Sequence, residues 1–154
     1  HKKAHIIEEI ENNDGELVYK ADFSPVKVFE ESTSYLIVNM LGDVINKSYG
    51  LSHDMPSKLK FNSKNLFVKT GTSEYYKDLW VVGGSTKITV GLWNGYDSPA
   101  KVPSYDYAQR SWIAVMNAIY ALDKNLISPD TAFSRPSSVV DASKIKKKRE
   151  KNAQ

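Results

Sequence analysis

The stretch LFVKTGTSEYYKDLWVVGGSTKITVGLW, residues 66–93, decides the fold class. Leu66-Phe67-Val68-Lys69-Thr70 is rich in strand-forming residues and reads as one strand. Gly71 to Asp78 is polar and reads as a turn, after which Leu79-Trp80-Val81-Val82-Gly83-Gly84 resumes an apolar strand. Residues 87–93 alternate, which places Ile88, Val90 and Leu92 on one face of a third strand. The connections are too short for crossovers, so the three strands are predicted to form an antiparallel meander.

Upstream, His5 to Glu11 and Glu16-Leu17-Val18-Tyr19-Lys20 flank the turn residues Asn12-Asn13-Asp14-Gly15, which predicts a hairpin. Residues 21–27 are a connector containing Pro25. Leu36, Ile37, Met40, Leu41, Val44 and Ile45 recur at helical spacing and predict a helix over 31–47, with Ser32, Thr33 or Ser34 as its cap. Residues 51–65 read as loop. Downstream, Ala108, Trp112, Val115, Met116 and Ile119 form the stripe of a second helix over 107–122, with Ser104 or Asp106 as cap. Residues 127–138 contain Pro129 and Pro136 and read as irregular, followed by a short extended piece at Val139-Val140. The predicted class is α+β, with helices packed on an antiparallel sheet. No internal repeat is present.

A chain of 154 residues with 41% hydrophobic and 25% charged residues is one domain or one large piece of one. No apolar run approaches the roughly 20 residues that span a bilayer. The segment from His1 to Ile7 lacks the apolar core of a signal peptide, so any export signal or anchor is expected upstream of residue 1. The absence of cysteine excludes disulfides, thiolate metal sites and cysteine nucleophiles. Six of the 21 basic residues fall within 144–151 against Glu150 alone, which leaves 15 basic and 17 acidic residues elsewhere. Residues 142–154 therefore read as a solvated, disordered basic tail, with weak attraction to anionic lipid or cell-wall polymer as the sharper alternative. The body, residues 1–141, is mildly acidic and offers no basic face to nucleic acid.

Lys69-Thr70-Gly71, on a strand, resembles the third motif of the penicillin-recognising serine enzymes. Its companions extend the likeness. Lys77-Asp78-Leu79-Trp80-Val81-Val82-Gly83 and Thr89-Val90-Gly91-Leu92-Trp93-Asn94-Gly95-Tyr96-Asp97 are similar to the strand pair that follows the motif in class A penicillin-binding proteins. The helix from Thr33 to Ile45, the hairpin from Ile10 to Tyr19, Trp112 with Met116, and Phe133-Ser134-Arg135-Pro136 occur in the same order as in that family. The resemblance runs from about residue 5 to 140 and identifies the chain with the C-terminal part of such a transpeptidase domain. Val68 stands where the family often has glycine, a difference that bears on local groove shape, and residues 51–65 match no family feature.

The resemblance implies serine acyl transfer, in which the D-Ala-D-Ala end of a peptidoglycan stem peptide, or a β-lactam mimicking it, acylates a serine. Lys69, Thr70, Gly71 and Thr72 would line the groove. Lys69 would supply positive potential, Thr70 and Thr72 hydroxyl donors to the substrate carboxylate, and Gly71 room for close approach. The Thr72 backbone N–H would be one of two oxyanion donors. The nucleophile should open a helix as Ser-x-x-Lys far upstream. Ser24-Pro25-Val26-Lys27, Ser57-Lys58-Leu59-Lys60 and Ser143-Lys144-Ile145-Lys146 fit only the spacing: the first lies in a connector, the second in a loop beside the motif, the third in the tail. Ser63-Lys64-Asn65 fits the family's Ser-x-Asn pattern by chance, so close to the strand. The nucleophile is thus expected outside this chain, in the remaining half of the domain, and the parent protein at the extracytoplasmic face of the bacterial membrane. The alternative functions are a non-catalytic binding module, or a DD-carboxypeptidase or β-lactamase-like hydrolase of the same fold; the segments flanking the motif speak against the hydrolase.

Other features carry less. His1, His5 and His53 have no metal-ligand spacing. Glu8-Glu9 and Glu30-Glu31 read as solvated surface pairs. Gly83-Gly84 and Gly91 form no phosphate-binding loop, so no cofactor is implied. Trp80, Trp93, Trp112 and the nine tyrosines read as core or sheet-face residues.

Overall fold

The computed structural model describes residues 3–141, and the basic tail lies outside them. Its elements are β1 (Glu9–Glu11), β2 (Leu17–Lys20), α1 (Glu31–Asn46), β3 (Phe67–Thr72), β4 (Leu79–Gly84), β5 (Thr89–Asn94) and α2 (Tyr107–Leu122). Single 3-10 turns occur at Pro56–Lys58, Glu74–Tyr76 and Lys124–Ile127.

β1 and β2 form the expected antiparallel hairpin. Its turn is written in the side chains: Asn12 Oδ1 accepts the N–H groups of Asp14 (3.0 Å) and Glu16 (2.9 Å). Gly15 takes φ 78°, where a Cβ would be strained. Both strands are exposed throughout.

β3, β4 and β5 form the antiparallel meander, in that order. The register pairs Val68 with Gly83 and Thr70 with Val81, then Gly83 with Val90 and Val81 with Leu92. Strand alternation therefore sends Val68, Leu79, Val81 and Val90 to one face and Lys69, Trp80, Val82 and Trp93 to the other. The first face is the core: Val68, Leu79 and Val81 are buried against Trp112 and Met116 of α2, with Ile45, Met55, Leu66 and Ile127 closing the sides. Trp112 donates its Nε1–H to the Val90 carbonyl (3.2 Å), which pins α2 across the sheet. Gly83 lies directly beneath it, since a Cβ there would stand 3.0 Å from Trp112 Cζ2 and 2.5 Å from the Phe67 carbonyl oxygen.

Four expectations are corrected. The first strand does not stop at Thr70 with Gly71 opening the turn: β3 runs on to Thr72, with Gly71 paired to Trp80 and Thr72 to Leu79. Ser32, Thr33 and Ser34 lie inside the first turn of α1, not at its cap; Glu30 holds that position and makes no side-chain cap bond. Three hydroxyl residues in a row mark a helix start only to within a turn. The helix read from the six apolar positions of α1 forms as expected, although only Ile45 of them is buried, while Leu36, Ile37 and Met40 are exposed. The helix is apolar around more than one face, and here it turns Val38, Gly42 and Ile45 inward, with Gly42 against the Leu66 carbonyl. In α2 the buried stripe is Ala108, Trp112, Ile113 and Met116, and Val115 is exposed. The helix is rotated so that Ile113 joins Trp112 in the core. Val139-Val140 forms no strand: the Val139 N–H closes a turn onto the Pro136 carbonyl, and Arg135 reaches the Val139 carbonyl and the Asp141 carboxylate.

Residues 51–65 are loop, as read, but bound to the core. Asn117 on α2 accepts the Lys60 N–H (2.8 Å) and donates to the Lys58 carbonyl (3.1 Å). Asp106 holds the expected N-cap position of α2, where its charge complements the helix dipole. Its carboxylate accepts Ser104 Oγ–H and pairs with Arg110 (3.1 Å) instead of bonding the helix N–H groups. Among the described residues, no helix is long and apolar enough to cross a membrane.

Candidate active-site strand

β3 has a strand partner on one edge only among the described residues. The direction of its backbone groups follows from the turn that ends it. Ser73 N–H donates to the Asp78 carbonyl (3.0 Å), so Ser73 faces β4. In an antiparallel ladder alternate residues bond the same neighbour, so Gly71, Lys69 and Phe67 also face β4. Thr72, Thr70 and Val68 then direct their N–H and C=O groups to the open edge. The Lys69 ammonium confirms the outward sense of the Thr70 carbonyl by donating to it (2.6 Å).

Side chains alternate independently of that. Lys69 and Gly71 lie on the outer face with Trp80, Val82 and Trp93, whereas Thr70 and Thr72 lie on the core side. Lys69 is exposed and Thr70 half-buried. A Cβ at Gly71 would meet Trp80 Cβ at 3.3 Å, so glycine keeps the strand close to its neighbour there. The open edge thus presents an outward Thr72 N–H, a lysine on one face and two threonine hydroxyls on the other.

Thr70, Gly71 and Thr72 also line a cleft of about 390 Å³, whose far wall is Tyr76, Tyr105 and Gln109. Sequence reasoning missed these three. They come from the β3–β4 turn, the segment leading into α2 and the first turn of α2, and no local pattern connects them to the motif. Lys69 is not part of that lining; its ammonium lies against the Thr70 carbonyl.

The turn after Thr72 is unusual. Tyr75 and Tyr76 both take positive φ, 59° and 56°. Such backbone costs on the order of 1–3 kcal/mol per residue and persists only where surroundings enforce it. Here Ser73 and Asp78 tie its ends together, and the Val102 N–H holds the Tyr76 carbonyl (2.9 Å). Lys77 and Lys101 lie over the Tyr75 and Tyr76 rings at 5.9 and 5.8 Å.

None of the serines of the other Ser-x-x-Lys and Ser-x-Asn stretches lines the cleft beside Thr70 to Thr72 among the described residues. Ser57 Oγ donates to the Asp54 carbonyl, and Ser63 Oγ, partly buried, donates to Asn46 Oδ1 (2.7 Å). Ser24 sits in a turn with Asp22, and Ser143 lies outside the described residues. His5 contacts the Asp22 carbonyl and the Phe23 ring, and His53 the Gly50 carbonyl; His1 lies outside the described residues. Three carboxyls elsewhere are held below the ordinary aspartate range. Asp22 is lowered by its hydrogen bonds from Ser24. Asp106 is lowered by its bond from Ser104 and by Arg110, and Asp54 by its bond from Lys58.

No family model matches the chain. Among curated proteins, it is 29% identical over 99 residues to penicillin-binding protein 4 of Bacillus subtilis, a match covering 64% of this chain and 15% of that protein. It is 27% identical over 121 residues to penicillin-binding protein 1A of Rickettsia felis, again 64% of this chain and 15% of the relative. Penicillin-binding protein 1F of Bacillus subtilis is 32% identical over 91 residues, covering 59% of this chain and 13% of that protein. The chain therefore spans about 15% of the length of the relatives it matches. The crystal structure of penicillin-binding protein 1A from Haemophilus influenzae superposes with a TM-score of 0.68 at 20% identity, over 90% of this chain and 26% of that one. That likeness shows a shared fold, and the sequence matches make about 64% of this chain similar to part of the penicillin-binding proteins.

Proposed function

We propose that this chain forms one wall of the active site of a peptidoglycan DD-transpeptidase. Residues 1–141 make up the C-terminal portion of the transpeptidase domain, and 142–154 a tail beyond it. The serine comes from the rest of the domain, outside this chain. Its Oγ attacks the carbonyl of the penultimate D-alanine. The bond to the terminal D-alanine breaks, that residue leaves as a free amine, and an ester to the serine remains. An amine of a neighbouring stem peptide then attacks the ester, forms the new amide and returns the serine hydroxyl. The parent protein works at the extracytoplasmic face of the membrane.

The observation that carries this reading is the open edge of β3, with the Thr72 N–H directed outward beside Lys69. An oxyanion donor must point at the site of developing charge from a rigid element, and removing one costs about a hundredfold to a thousandfold in rate. An edge strand anchored by β4 and the core meets that need. Lys69 supplies positive potential at the edge, for the donor carboxylate and the catalytic hydroxyls. Thr70 and Thr72 offer hydroxyl hydrogen bonds to the same carboxylate from the other side of the strand. β-Lactams enter as mimics of the D-Ala-D-Ala end.

Labelling with a fluorescent penicillin tests the reading. The full-length protein should be acylated and the 154-residue chain alone should not. Lys69→Ala in the full-length protein should slow acylation sharply while leaving the melting temperature unchanged, because Lys69 is exposed and packs in no core. Unchanged acylation in that variant refutes the assignment.

A further inference from the structure

One carboxylate holds the end of the edge strand. Asp78, just before β4, accepts Ser73 Oγ–H through Oδ2 (2.9 Å) and Trp93 Nε1–H through Oδ1 (3.1 Å). Its own N–H donates back to Ser73 Oγ (2.8 Å), and its carbonyl accepts the Ser73 N–H (3.0 Å). Ser73 directly follows Thr72, and Trp93 lies on β5, two strands away. The bonds therefore tie Ser73, the residue that follows β3, to the far strand of the sheet through a single side chain. The turn they close contains the two tyrosines at positive φ. Removing the carboxylate cuts the links to Ser73 Oγ–H and Trp93 while leaving the main-chain bonds of Ser73, Asp78, Tyr76 and Val102. The turn, held in disfavoured backbone, then loosens without opening, and Thr72 is the strand residue beside it.

We propose that Asp78 is a positioning residue for the oxyanion donor: by fixing Ser73, it fixes the direction of the Thr72 N–H. The proposal rests on the reading of Thr72 given above. Bonds to an ionised acceptor are stronger than neutral ones, so a carboxylate suits the role. The consequence is kinetic. A donor displaced by about 1 Å loses about a hundredfold in rate, and Asp78 is the residue whose removal permits that displacement without touching substrate.

The test uses the full-length protein, a fluorescent penicillin at rising concentration, and a saturation fit that separates the non-covalent dissociation constant from the acylation rate constant. Asp78→Ala should lower the acylation rate constant about tenfold or more, with the dissociation constant unchanged. Asp78→Asn should recover most of that rate, because the amide oxygen can accept from Trp93 while its NH₂ donates to Ser73 Oγ. Trp93→Phe, which removes only the indole donor, should fall between wild type and Asp78→Ala and keeps the test open if Asp78→Ala does not fold. A merely structural Asp78 would lower the melting temperature and the fraction acylated, but not the rate constant of the molecules that react. An unchanged rate constant in Asp78→Ala or Trp93→Phe, with Lys69→Ala still slow, overturns the positioning role alone. An unchanged rate in Lys69→Ala overturns the transpeptidase reading itself.

Discussion

Replacing Gly83 by alanine should destabilise the sheet, although alanine normally lowers the entropy of the unfolded chain and favours folding by about 0.4–1 kcal/mol. The added Cβ would lie 2.5 Å from the Phe67 carbonyl oxygen, 2.9 Å from Val68 Cγ2 and 3.0 Å from Trp112 Cζ2. The first neighbour is backbone of β3 and the third belongs to a side chain with no exposed surface, so neither can swing aside. β3 and α2 would both have to move from β4. Overpacking of this kind costs roughly 1–3 kcal/mol, and subtracting the entropic gain leaves a net loss of up to about 2.6 kcal/mol, with about 1–2 kcal/mol in the middle of that range. For a chain of this size that corresponds to a fall of roughly 2–8 °C in melting temperature. Thermal unfolding followed by far-ultraviolet circular dichroism reads it. Gly91→Ala is the control on the neighbouring strand: its Cβ would find only Val82 Cγ2 at 3.9 Å, an ordinary contact, so its melting temperature should hold or rise. Equal behaviour of the two variants would refute the packing of Trp112 over Gly83.

Trp112→Ala should cost about 3–5 kcal/mol by chemical denaturation, as expected for a fully buried aromatic, and a loss under about 1 kcal/mol would contradict its place in the core. Trp112→Phe keeps most of the packing but deprives the Val90 carbonyl of its indole donor, for a smaller loss of about 1 kcal/mol in the same assay. Acid should destabilise the fold through Asp54 and Asp106. Both carboxyls titrate lower when folded than unfolded, so their stabilisation is complete above the ordinary aspartate pKa of 3.8 and is lost as pH falls through their folded values. The melting temperature should therefore drop below about pH 4, and the double variant Asp54→Asn with Asp106→Asn should flatten that drop; an unaltered profile would dismiss both contributions.

The meander was legible because strand alternation and turn composition are local. The period of two in residues 87–93 and the polar turn between the first two strands each leave a signature within a few residues, whereas the exact end of β3, two residues later than read, depends on its pairing with Leu79 and Trp80. The strand-borne motif was legible for the same reason, and with it the residues Lys69 to Thr72. The side chains across the cleft, Tyr76, Tyr105 and Gln109, were not, since their approach to the motif depends on how α2 docks. The Asp78 bonds were hidden too: Ser73, Asp78 and Trp93 meet only once β3, β4 and β5 are in register.

Helix orientation separates the two kinds of information most clearly. Composition and spacing determined that residues 31–47 and 107–122 hold helices and that 66–93 holds a three-stranded antiparallel sheet, which the structure sets at 31–46, 107–122 and 67–94. Which helical face turns inward is a competition among apolar positions, and α1 has enough of them to satisfy more than one rotation. Only the tertiary structure chose Ile45 over Leu36, Ile37 and Met40, and Ile113 over Val115. The physical reason is that periodicity fixes angles within an element, whereas burial is decided by the shape of the neighbour it meets, here Gly42 against the start of β3 and Trp112 over the flat of Gly83.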